Sequence, residues 1–199
     1  MILASLGQAK TLGGVGSLLL LLNFVPYAGP VLGIVGLILV LVAVKYISDS
    51  VSDRSIFNNI IWAVLLAIVG VVIGAFVVFA SLFRFIGLGY LSGPGLTPAN
   101  IATVPAGDIA ALIIGLAAGL VAIWIFYLVS AIFMKRSFDT ISIRVNVGMF
   151  HTAALIYLIG AATTIILVGF VLIFVAQILF IVAFFSIPET IVQSQQVQR

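Results

Sequence analysis

The chain has 199 residues, 64% of them hydrophobic and 7% charged, with a mean hydropathy of +1.45. Soluble domains carry about 25% charged residues, and a chain this short exposes too much surface to hide so much apolar material, so lipid must be the solvent for most of it. With no cysteine and one histidine, His151, disulfides, thiolate metal sites, cysteine nucleophiles and bis-histidine haem ligation are all excluded.

A spanning helix needs about 20 apolar residues for a hydrocarbon core about 30 Å thick. Runs without Lys, Arg, Asp or Glu occupy 11–44, 55–83, 109–134 and 145–188. The first and last are too long for one crossing and long enough for two. In the first, NFVPYAGP (23–30) supplies a break, because Pro26 and Pro30 lack N–H donors and Gly29 permits a turn. This predicts helices over 8–25 and 29–47. Lys10 followed by LLLLL imitates a secretory signal, but Pro26 would fall at position −3 of a cut after Ala28, against the small-residue pattern. A retained helix is expected, with Gln8 and Lys10 reaching the headgroups.

The next two helices are expected over 57–84 and 108–134. Between them GLGYLSGPGLTPANIATVPAG (87–107) is charge-free and rich in Gly and Pro, the pattern of an external loop. The last run holds no proline before Pro188. A weak internal match sets ILVLVAVKYISD (38–49) on ILFIVAFFSIPE (178–189), and the same offset of 140 places Gly29 on Gly169. A hairpin near Gly169 gives helices over 148–167 and 171–188, followed by a polar tail, 189–199. The alternative is one long C-terminal helix and five in all. The expected fold is therefore all-α, a polytopic transmembrane helical bundle of six helices in three hairpins, forming a single membrane domain over 1–199.

The sparse charges repeat. KYISDSVSDR (45–54) aligns with KRSFDTISIR (135–144): Lys45 on Lys135, Asp49 on Asp139 and Arg54 on Arg144, with Arg136 beside them. The i,i+4 spacing puts each Lys–Asp pair on one helical face; alternatively Asp49 and Asp139 cap the following helices. Two crossings separate the stretches, so both face one side. Placing them in the cytoplasm gathers Lys10, Lys45, Arg54, Lys135, Arg136 and Arg144 there and leaves Arg84 outside, the positive-inside distribution. Both termini are then expected to be cytoplasmic.

Little points to chemistry. All five acids fall at expected helix ends or loops, which argues against ion-coupled transport. The chain has no nucleophile elbow and no phosphate-binding glycine loop. No catalytic residue, metal site or cofactor is expected. Glycines at helical spacing (Gly29, Gly33 and Gly36; Gly70 and Gly74; Gly115 and Gly119) mark faces where helix backbones can approach closely. Asn23, Thr163, Thr164 and Gln177 are the polar groups expected near the midplane.

QAKTLGGVGSLL (8–19), VGLILVLVAVKYISD (35–49), SIFNN (55–59), RVNVGMFHTAALIYLIGA (144–161) and AFFSIP (183–188) resemble an archaeal family of small integral membrane proteins, domain of unknown function 996. The resemblance covers most of the chain outside 87–107. It implies an archaeal cell membrane, and it brings no activity or site residue with it. The expectation is a non-enzymatic accessory or structural subunit of a membrane assembly. Its partners would be membrane lipids and further copies of the chain or other membrane subunits, with no nucleic acid. The alternatives are a facilitator for a small neutral or hydrophobic solute, lined by Asn23, Thr163, Thr164 and Gln177, and headgroup binding at the cytoplasmic face through Lys135, Arg136 and Arg144.

Overall fold

The computed structural model describes residues 2–91 and 105–188, and they form six α-helices. In chain order these are α1 (Ile2–Leu21), α2 (Gly29–Ser50), α3 (Arg54–Leu91), α4 (Ala106–Val145), α5 (Met149–Thr163) and α6 (Val168–Phe185). No strand occurs among the described residues. The run over 145–188 is two helices, giving the six-helix all-α arrangement. Most of the expected 87–107 loop and all of the 189–199 tail lie outside the described residues, while α3 continues through 87–91 and α4 begins at Ala106.

Five helices, α2 to α6, are long and apolar enough to cross a membrane, and their outward faces are apolar too. Phe76, Phe79 and Phe83 on α3 are each about two-thirds exposed (70%, 67% and 66%). Water would penalise such surface heavily, whereas lipid tails do not. The protein is thus a multi-pass membrane protein. Two helices exceed a bilayer's needs. At 38 residues α3 is about 57 Å long, and at 40 residues α4 is about 60 Å.

The chain divides into two compact units, residues 1–64 with 130–199, and residues 65–129. In the first unit α1 packs on α2 and on α6, and α5 packs on α6. Its core holds Leu6, Val44, Ile47, Ile56, Ile141 and a cluster of phenylalanines. Phe138 of α4 meets Phe150 of α5 at 5.7 Å between centroids, and Phe180 and Phe184 of α6 at 4.5 and 6.2 Å. Serines tie α4 to α3 there: Ser137 Oγ donates to the Ile56 carbonyl at 2.8 Å and Ser130 Oγ to that of Ala63 at 2.7 Å. These buried hydroxyls bond across helices, a common device where lipid offers no partner.

Each of the three hairpins is closed by a reciprocal glycine pair. A Cβ on Gly36 would lie 2.7 Å from the Gly16 carbonyl oxygen, and one on Gly16 would lie 2.8 Å from that of Gly36, joining α1 to α2. Within the second unit, Gly74 and Gly119 meet in the same way, at 2.7 and 2.9 Å. At the α5–α6 end, a Cβ on Gly160 would sit 3.0 Å from the Gly169 oxygen, and one on Gly169 would overlap that of Gly160. Backbone touches backbone in all three, a contact that only the smallest residues permit.

The other glycines of the expected packing faces have different neighbours. Gly29 and Gly33 make room for the backbone and side chain of Asn23, Gly70 faces Phe126, and Gly115 faces Ser81. On α1, Gly13 and Gly14 seat the rings of Phe184 and Phe185.

The hairpin tips also differ in chemistry. Between α1 and α2 the left-handed position is Tyr27 (φ 66°), with Gly29 already helical. Between α5 and α6 a short 3₁₀ turn, Thr164–Ile166, ends at Leu167 in the left-handed region (φ 64°). Thr163 and Thr164 return their hydroxyls to the carbonyls of Ile159 and Gly160, each at 2.8 Å. Asn23, Thr163 and Thr164 therefore sit at hairpin ends, away from the middle of the spans.

Candidate functional site

Apart from Lys10 on α1, the charged side chains described in the first unit gather where α2 ends, α3 begins, α4 ends and α5 begins. Two helix ends of the same construction position them. In α2 the Asp53 N–H bonds the Ser48 carbonyl at 3.0 Å and the Ser52 N–H bonds that of Asp49 at 3.3 Å, with Ser52 left-handed (φ 54°). In α4 the Val147 N–H bonds the Ser142 carbonyl at 3.1 Å, with Asn146 left-handed (φ 55°). Both are six-residue closures that satisfy orphan carbonyls. Ser48 and Ser142 are buried, as are Ile47 and Ile141, Val44 and Phe138, and Ile56 and Phe150. Structural equivalence therefore runs at an offset of 94, whereas the charged side chains repeat at 90.

That difference of four residues places the two charged stretches differently. KYISDSVSDR passes from α2 through a turn into α3, whereas KRSFDTISIR lies wholly inside α4. The i,i+4 pairs form in both. Lys45 Nζ binds Asp49 Oδ1 at 3.0 Å and stands over the Phe57 ring at 5.2 Å. Lys135 Nζ binds Asp139 Oδ2. The Lys45–Asp49 pair is exposed, and such pairs contribute about 0–1 kcal/mol, while the Lys135–Asp139 pair is partly buried.

Neither Asp49 nor Asp139 caps the next helix; Asp53 does. Its Oδ1 accepts from the Ser55 N–H at 3.1 Å and from the Ser55 hydroxyl at 2.6 Å, the usual geometry of a helix start. Its Oδ2 accepts from Arg144 at 2.8 Å, clasping the end of α4 to the start of α3. The Ser55 hydrogen bonds, with Arg144 second, hold the Asp53 carboxyl below its ordinary range. The stabilisation this gives is complete above the ordinary aspartate value near pH 4 and is lost as pH falls through the lowered folded value. We expect the thermal midpoint of the detergent-solubilised protein to drop below about pH 4. Asp53→Asn should flatten that drop, and matching acid profiles for the two proteins would show that the clasp contributes nothing.

The sequence missed two features of this cluster: Asp53, and the reach of Asp139 to His151. His151 Nδ1 lies 2.8 Å from Asp139 Oδ1, so one carboxylate joins Lys135 of α4 to the imidazole of α5. The Asp53–Arg144 and Asp139–His151 contacts each join two helices, and only the Asp–Arg–Ser composition at 53–55 hinted at the cap.

Arg54, Arg136 and Lys10 have no carboxylate within 4 Å among the described residues; Arg136 lies over the Phe133 ring at 5.6 Å. The described residues of the first unit thus carry six cations and three carboxylates, and all three carboxylates are paired. The described residues include no group of three or more His, Asp or Glu able to hold a metal.

The second unit has a cleft of about 290 Å³ between α3 and α4, walled by Phe76, Val77, Phe85 and Leu112. Arg84 and Asp108 stand at it, with Ser81, whose hydroxyl is turned back to the Val77 carbonyl at 2.8 Å.

With that geometry in place, comparison with known proteins is informative. The chain is 36% identical over 194 residues to the uncharacterized protein MJ1644 of Methanocaldococcus jannaschii, covering 95% of this chain and 97% of the relative. No solved structure matches significantly. A family model described as protein of unknown function, DUF996, matches residues 32–178, a stretch that runs from α2 into α6. This multi-pass membrane chain belongs to the DUF996 family.

Proposed function

We propose that the protein is a non-enzymatic accessory or structural subunit of a membrane assembly, held with its cation-rich end and both termini in the cytoplasm. The observation that carries this is the closed state of its polar groups beside the openness of its apolar ones. Every carboxylate among the described residues of the first unit is engaged by a cation. The hydroxyls of Thr163, Thr164 and Ser186 are returned to backbone carbonyls of their own helices. Meanwhile α3, α4 and α6 display broad apolar faces, the surface that an assembly component offers to neighbours.

A solute path has less support, since three of the four residues it would use stand at hairpin ends and only Gln177 lies mid-helix. Headgroup binding through Lys135 and Arg144 would compete with their pairing to Asp139 and Asp53.

Orientation rests on the excess of Lys and Arg at one end. It can be tested simply because the chain has no native cysteine. Lys45→Cys and Lys135→Cys should both react with an impermeant maleimide only in inverted vesicles; labelling from opposite faces would overturn the orientation. Mild-detergent extraction should recover an oligomer or a larger complex. A monodisperse monomer with no co-purifying chain would overturn the subunit reading.

A further inference from the structure

Arg84 and Asp108 are the only charged residues of the second unit, 65–129, and both line the cleft of about 290 Å³ between α3 and α4. Neither side chain has a salt-bridge or hydrogen-bond partner among the described residues. The link between the two helices brings no charge to them, since 85–107 holds no Lys, Arg, His, Asp or Glu. A cation and an anion therefore share one cleft without neutralising each other.

Helix register puts them at one level. Gly74 of α3 touches Gly119 of α4, and Arg84 lies ten residues beyond the first while Asp108 lies eleven before the second. Each thus stands about 15 Å from that contact, on its own wall of the hairpin. Along α3, Arg84 is thirty residues from Arg54, about 45 Å of helix. That matches a bilayer with both headgroup layers included, about 40–45 Å, so with Arg54 among one set of headgroups Arg84 is among the other. Deeper in the cleft the walls are apolar. Phe76 and Val77 lie about two turns below Arg84, and Leu112 about one turn below Asp108. Ser81 adds no polarity there, because its hydroxyl is turned back to the Val77 carbonyl.

We infer that this cleft binds a zwitterionic lipid, whose phosphate meets Arg84, whose amine meets Asp108 and whose chains follow Phe76 and Val77 toward the bilayer centre. A guanidinium fork matches two phosphate oxygens, and an ammonium group supplies donors to a carboxylate. A purely anionic head would be repelled by Asp108 and a purely cationic one by Arg84; a head carrying both charges satisfies both walls. The grading from charged mouth to phenyl-lined floor suits an amphiphile lying along the helices. A volume near the lower bound for ligand clefts, about 300 Å³, holds a headgroup and the start of its chains. The inference goes beyond the subunit reading and does not depend on it.

The test uses the full chain in a neutral sugar detergent, titrated with dioleoylphosphatidylethanolamine, with bound lipid counted by native mass spectrometry. This lipid should bind about tenfold more tightly than dioleoylphosphatidylglycerol, which lacks the amine, the effect of losing one charge-assisted bond. It should exceed phosphoethanolamine, which lacks the chains, by more. Arg84→Gln is expected to weaken binding about tenfold with the lipid-free thermal midpoint unchanged, and Arg84→Lys should fall between the two. Asp108→Asn should abolish the preference for the amine-bearing lipid. Arg54→Gln, at the other end of α3, should bind as the native chain does. Native-like binding and preference in both Arg84→Gln and Asp108→Asn would overturn the site. Equal binding of the two lipids by the native chain would overturn the zwitterionic ligand, and phosphoethanolamine binding as tightly as the lipid would overturn the amphiphile. The subunit reading stands in each case, since it is judged by co-purification alone.

Discussion

Replacing Gly169 with leucine is expected to destabilise the protein by about 3 kcal/mol or more, the upper end of what overpacking costs. The usual relief in an overpacked site is a side chain that swings aside. Here the new Cβ would overlap backbone, the carbonyl oxygen of Gly160 and the amide nitrogen of Thr164, so α5 and α6 must separate. Thr164 anchors the tip through its own bond to Gly160, and displacing one disturbs the other. Gly87 is the natural control, since a Cβ there would meet nothing within 4 Å. Gly87→Ala should be neutral or stabilising by about 0.5–1 kcal/mol, because alanine loses less backbone freedom in a helix. Thermal or denaturing-detergent unfolding of the three proteins measures this. A Gly169→Leu protein as stable as the native one would show that the hairpin does not depend on the glycine contact.

The second large effect belongs to Phe138. Its ring is 1% exposed and joins α4 to α5 and α6 through Phe150, Phe180 and Phe184. Phe138→Ala should cost about 3–5 kcal/mol, the range for a buried phenylalanine. The loss would come from the cavity left among the rings of Phe150, Phe180 and Phe184. That yields a sharp control in Phe76→Ala, where the ring is 70% exposed to lipid. Unfolding of the Phe76 variant should match the native protein to within about 0.5 kcal/mol, as for substitutions away from packed features. Equal losses at the two positions would mean that the Phe138 cluster is not a packed core.

The helices were legible in the sequence because long uncharged runs have few other uses, and the first hairpin because Pro26 and Pro30 flank its turn. The tip at 164–167 was nearly invisible. Its left-handed residue is leucine, and two threonines end α5 by bonding back to their own helix, so no punctuation marks the turn; Gly169, found through a faint repeat, gave the only hint. The extents of α3 and α4 were missed for another reason. The expected helix ended at residue 134, where the charges begin, yet the lysine–aspartate spacing and the absence of proline let α4 continue to Val145.

Glycine spacing marked close-packed faces without naming their partners. Gly36 finds Gly16 and Gly74 finds Gly119, pairings that depend on hairpin register and so on turn geometry. The same limit applies to the charged cluster. The local Lys–Asp pairs were readable, but the Asp53–Arg144 clasp spans 91 positions and follows only from α3 and α4 lying together.

The length of α3 and α4 has a consequence for the lipid. Between Arg54 and Arg84 the uncharged stretch of α3 is 29 residues, about 43 Å of helix, against about 27 Å for the whole of α6. A film about 30 Å thick matches the shorter figure and falls well short of the longer. Hydrophobic mismatch of that size is relieved by leaning or by local thickening of the bilayer. The chain thus carries two rulers of unequal length, and bilayer thickness becomes a variable to which the long hairpin must respond.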